Sequence, residues 1–138
     1  MIKNAPYRFA DFEAIELTYG TPNEMINKFN SKTGEYQYLT VDNKLVKDTI
    51  KMRKDDLLYL HRKAQELGFW NVDDNMTNSK RDTSLNQEVP RYILKYVYKG
   101  KSKEVTLDAD YVGPDKMKGA AKSTVDAVMT MIAEVKAR

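Results

Sequence analysis

KDDLLYLHRKAQELGFWNV, residues 54–72, decides the fold. Leu57, Leu60, Ala64 and Leu67 recur at steps of three and four, which on a 3.6-residue turn makes one apolar stripe. Arg62, Lys63, Gln65 and Glu66 fall on the opposite, solvated side. Asp55 and Asp56 sit in the first turn, where carboxylates complement the helix dipole. Gly68 supplies the left-handed residue that ends such a helix, and Phe69 the apolar contact that accompanies the cap. Phe69 and Trp70 are therefore expected as a core plug at the helix-to-loop corner rather than as an exposed anchor for a partner. His61, the single histidine, falls at the border of the stripe. Neither a metal-ligand set nor a nucleophile–base relay accompanies it, so it is expected to have no chemical role.

On the N-terminal side of this helix the periodicity changes from 3.6 to 2. Ile15, Leu17 and Tyr19 alternate with Glu16 and Thr18, a half-buried strand that Gly20 ends. Residues 21–30 carry two signals. Thr21, Pro22 and Glu24 fit a helix start, whereas Met25, Asn27 and Phe29 share one face of a strand, and the strand is favoured. A turn over Ser31 to Gly34 leads into Glu35 to Val41, with Tyr36 and Tyr38 on one face and Leu39 and Val41 on the other. Asp42 and Asn43 turn the chain into Leu45 to Met52, where Val46, Ile50 and Met52 line up. These runs read as an antiparallel meander.

On the C-terminal side, residues 71–89, NVDDNMTNSKRDTSLNQEV, hold few apolar residues and are expected as a long polar loop. Arg91 to Lys99 and Lys101 to Asp108 form a hairpin that turns at Lys99-Gly100. Met117, Ala121, Val125, Val128, Ile132 and Val135 mark a second helix over residues 115–137, long enough to cross the sheet. The fold expected is α+β: one domain over residues 1–138, an antiparallel sheet of five to six strands (meander, helix, hairpin, C-terminal helix) with both helices on one face.

Composition narrows the function classes. The chain has 138 residues and no cysteine, which excludes disulfides, thiol catalysis and cysteinyl zinc sites. Twenty-three Lys and Arg against 20 Asp and Glu leave a net charge of +3, well short of the concentrated charge of nucleic-acid domains. No apolar run approaches the ~20 residues a membrane helix needs, so no membrane span is expected. The start, MIKNAPYRF, lacks the basic and apolar regions of a signal peptide, which leaves export open.

Several residue groups invite a chemical reading. Asp73, Asp74 and Asn75, with Asp108 and Asp110, are the best oxygen-ligand group for calcium, but they lack the spacing and terminal glutamate of an EF-hand loop. A solvated acidic loop accounts for them, and no metal or cofactor is expected. Asn75-Met76-Thr77 matches a glycosylation acceptor, a short and weak signal. Tyr92, Tyr96 and Tyr98 interleave with Arg91 and Lys95 as in base-stacking strands. Alternation, however, sends Tyr92, Leu94, Tyr96 and Tyr98 to one face and Arg91, Ile93, Lys95 and Val97 to the other, which argues against nucleic acid. Glu13 and Glu16 fall on different sides of a strand and do not form an acid–base pair, so no catalytic residue is assigned.

The order of parts nevertheless resembles a known group. A meander, the helix DDLLYLHRKAQELGFW, a polar loop, a charged hairpin and a final helix are similar, over residues 13–108, to small secreted or lipoprotein domains of the bacterial envelope. Among these, emfourin has a similar layout and inhibits thermolysin-like metalloproteases by binding. The resemblance implies a periplasmic, outer-envelope or secreted setting, with a cytoplasmic one left open. It also implies binding rather than catalysis, with protease inhibition as one form. The expected function is non-catalytic recognition of a protein partner by a monomer or weak homodimer. Its expected surfaces are the polar loop, through Asp73, Asp74, Lys80 and Arg81, and the sheet face left uncovered by helices, through Tyr36 and Tyr38.

Overall fold

The computed structural model describes residues 7–21, 24–77, 90–109 and 111–137. The chain is α+β, with seven strands and two α-helices among the described residues. The strands are β1 (Phe12–Thr21), β2 (Glu24–Asn30), β3 (Glu35–Leu39), β4 (Leu45–Thr49), β5 (Asn75–Met76), β6 (Arg91–Tyr98) and β7 (Lys101–Asp108). The helices are α1 (Lys54–Leu67) and α2 (Asp115–Ala137). All strands join one sheet in the order β4-β3-β2-β1-β6-β7-β5. Neither helix is long and apolar enough to cross a membrane.

Two expectations about the sheet change. It is mixed rather than purely antiparallel, because β5 pairs with β7 in parallel through Asn75 with Thr106 and Met76 with Leu107. With β5 it has seven strands among the described residues rather than five or six. The added strand lies inside the segment read as loop, and at two residues, with Met76 its one buried side chain, it is too short to show a period. Residues 24–30, by contrast, form the favoured strand. Leu17 lies opposite Phe29 on one side of β1 and Leu94 on the other, so β1 is central.

Strand alternation assigns the two faces. Ile15, Leu17, Phe29, Leu94, Tyr96, Tyr98, Val105 and Leu107 are buried beneath the helices with Leu60, Ala64, Val125, Val128 and Ile132. Each such side chain contributes roughly 1.5–3 kcal/mol by leaving water. Tyr96 Oη donates to the Leu60 carbonyl (3.1 Å), and the Tyr98 hydroxyl meets His61 Nδ1 (2.6 Å), so β6 holds α1 by two polar ties within the apolar layer.

The buried stripe of α1 is Leu60, His61 and Ala64, joined by Asp56 at its start; Leu57 and Leu67 are half-buried. His61 thus lies inside the stripe rather than at its border. Asp56 accepts a hydrogen bond from the Arg53 backbone N–H (2.8 Å), satisfying one donor at the helix start. Gly68 ends the helix at φ 79°, as the sequence predicts, and Phe69 is completely buried. Trp70 is half-buried among Tyr7, Phe69, Tyr96 and Tyr98, with its ring stacked 4.4 Å from Tyr7. Gly34 permits the corner between β2 and β3. Its φ is 80°, and a side-chain carbon there would stand 3.1 Å from the Ile50 carbonyl oxygen.

Candidate binding face

Because both helices cover one side of the sheet, its other side carries the alternate residues of every strand. Cross-strand register orders them into two rows. Thr18 lies opposite Lys28, Lys28 opposite Gln37, and Gln37 opposite Lys47. In the adjacent row Glu16 lies between Asn30 and Lys95, and Lys95 opposite Glu104, while Glu35 pairs with Thr49. Over β1–β4 this surface sinks into a groove of about 620 Å³. Lys28 and Lys47 flank Gln37 on one side of its floor, and Glu16 and Glu35 lie on the other. The Gln37 amide is held by donating its Nε2 to the Ile26 carbonyl (2.9 Å), which leaves its oxygen with acceptor capacity.

The tyrosines lie elsewhere. Tyr36 pairs with Phe29, Tyr38 with Val46, and Lys136 of α2 donates to the Tyr38 hydroxyl (2.8 Å) while lying over its ring. Tyr36 and Tyr38 are therefore on the helix side, not on the uncovered face to which they were assigned. Their half-buried position explains the ambiguity, since tyrosine suits a rim where the ring packs and the hydroxyl stays wet. The hydrogen bond from Lys136 to Tyr38 raises the lysine pKa. Tyr19, deeper in the same group, is held protonated by burial first and then by its tyrosine neighbours.

The loop residues are only partly placed. Asp73 and Asp74 are exposed at the start of β5. Asp74 accepts from Lys103 Nζ (2.7 Å), which also donates to the Val72 carbonyl, so this part of the loop is fastened to β7. Asp108, from the same oxygen-ligand group, is instead buried against Arg91, whose Nε donates to its carboxylate (2.6 Å). Lys80, Arg81 and Asp110 lie outside the described residues. No group of three or more His, Cys, Asp or Glu side chains converges as for a metal ion among the described residues.

His61 is the one imidazole of the chain, and it lies in the buried layer. Burial, and then the Arg62 charge, lowers its pKa from the usual 6.5. Burial, and then Tyr7, pushes the Tyr98 ionisation upward. The pair is therefore a neutral imidazole with a neutral phenol; with the imidazole proton on Nε2, the Tyr98 hydroxyl donates to Nδ1.

Of the groove residues, Glu16 was weighed only as an acid–base partner of Glu13, and Lys28, Glu35, Gln37 and Lys47 were not singled out from the sequence. The alternation that opposes Leu39 to Tyr36 and Tyr38 also places Glu35 and Gln37 on the side of Leu39. What was missing was the strand order that sets Lys28 between Gln37 and Thr18. No protein-family model matches the chain, and a search of curated proteins returns no match.

Proposed function

We propose that this protein is a non-catalytic binding domain that recognises a polypeptide partner in the groove on its uncovered sheet face. The groove floor carries this reading: Lys28, Gln37 and Lys47 in one row, Glu16 and Glu35 in the next. A floor of both signs complements a polypeptide segment bearing both charges. It repels half of any polyanion laid across it, which sets the nucleic-acid reading aside. Strands on a packed sheet hold these groups at fixed spacing, so their order before binding favours specificity.

Immobilised protein incubated with extract of its native source tests the proposal. A protein retained by the wild type is expected to be lost from Lys28→Glu/Lys47→Glu and from Glu16→Lys/Glu35→Lys, and kept by Asp73→Ala/Asp74→Ala. Retention indifferent to groove charge but lost with the aspartates would move the function to the loop. Firm retention on single-stranded DNA at physiological salt would overturn the protein reading.

A further inference from the structure

We infer that β4 is the pairing edge for a second copy of this chain, the two β4 strands meeting antiparallel about a twofold axis through Val46. Pairing at this edge does not rest on the reading of the groove, with which the edge shares Lys47.

Among the described residues β4 is the last strand on its side of the sheet. The Ile50 N–H donates to the Gly34 carbonyl and the Thr40 N–H to the Lys44 carbonyl. Hydrogen-bonded pairs alternate along an antiparallel ladder, so Lys44, Val46, Asp48 and Ile50 turn their peptide groups toward β3. Those of Leu45, Lys47 and Thr49 face outward. The Thr49 N–H is taken by the Asp48 carboxylate (2.7 Å), which closes the edge at that end. At the other end Asn43, at φ 60°, turns the chain away. Leu45 and Lys47 remain, with four outward backbone groups between them.

Only one register uses all four without penalty. Setting Lys47 against its own copy stacks like charges and wastes the Leu45 groups on the occupied Thr49. Setting Asp48 against its own copy again opposes like charges. Setting Leu45 against the second copy's Lys47 forms four backbone hydrogen bonds, two about each side of the axis. The same register puts Val46 against Val46, and Lys44 against Asp48 twice. Lys44 is free to move there, since its own ion pair with Asp42 is long (3.8 Å) and exposed. Leu45, 49 % exposed in the single chain, is covered across the seam by the stem of Lys47. A seam of five residues is short, so association is concentration-dependent rather than permanent.

The absence of native cysteine makes the geometry directly readable. Across the axis Val46 occupies a close, non-hydrogen-bonded pair, with Cα atoms roughly 4.5 Å apart, within disulfide range. Val46→Cys is expected to cross-link on mild oxidation, and Lys47→Cys, two residues off register, to do so far more slowly. In sedimentation over a concentration series the wild type is expected to approach twice its monomer mass. Lys47→Pro should remain monomeric with an unchanged circular dichroism spectrum, because its lost N–H serves no bond within the chain. Lys44→Asp should abolish association, and Lys44→Asp/Asp48→Lys restore it. A wild type that stays monomeric up to about 1 mM, or a Lys47→Pro variant that associates as well as the wild type, would overturn the proposal. So would faster cross-linking of Lys47→Cys than of Val46→Cys.

Discussion

The two faces of the sheet are built from alternate residues of the same strands, yet they obey opposite demands. Beneath the helices, Tyr96 and Tyr98 are buried with Leu94, and even their hydroxyls are committed to Leu60 and His61. On the other face Lys28, Gln37 and Lys47 stand in a row, with no helix above them among the described residues. The first face trades polarity for packing and tolerates little change. The second keeps charges hydrated and ordered, which contributes little to stability and leaves them available for recognition. The period of two along a strand is what lets one short segment serve both.

Substitutions can break or sharpen this contrast. The largest effect is expected from Phe69→Ala, which empties a fully buried ring site at the end of α1. A loss of about 3–5 kcal/mol should appear in urea unfolding. Tyr98→Phe keeps the ring and removes the hydroxyl, leaving His61 Nδ1 without its partner. That should cost roughly 1–3 kcal/mol by the same measurement.

A pH series separates the faces next. The folded pKa of His61 lies below 6.5 because of burial and then Arg62. As pH falls below 6.5 the unfolded chain takes up a proton that the folded chain does not, so stability falls with pH. The fall ends once pH drops past the folded pKa and both states are protonated. His61→Phe should remove this part of the pH dependence in unfolding curves measured between neutral and mildly acid pH. The smallest effect belongs to the open face, where Lys28→Glu should change unfolding free energy by about 0.5 kcal/mol or less. A loss on the scale of the Tyr98 variant would mean that the open face is structural after all.

Much of the fold was legible because it depends on local periodicity. The α1 corner at Gly68, the hairpin at Lys99-Gly100, the extent of α2 and the preference for strand at Met25–Phe29 all follow from spacings of two, three and four. The miss at β5 has a physical cause: two residues carry no period, and their pairing with β7 is decided by tertiary packing of Met76. His61 was misplaced because an imidazole scores as polar until the hydroxyl of Tyr98, 37 positions away, supplies its partner. The uncovered face was assigned to the wrong residues for a related reason. Tyrosine alternation shows that Tyr36 and Tyr38 share a side, while only the register with Phe29 says which side the helices cover.

The central position of β1 has a consequence during synthesis. β2, β3 and β4 follow β1 closely and can fold against it as they leave the ribosome, but the other edge of β1 is completed only by β6. Until Leu94 and Tyr96 have emerged, the nascent meander presents Ile15 and Leu17 along an unfinished border. That interval, rather than any moment in the life of the finished protein, is when the chain is most exposed to aggregation.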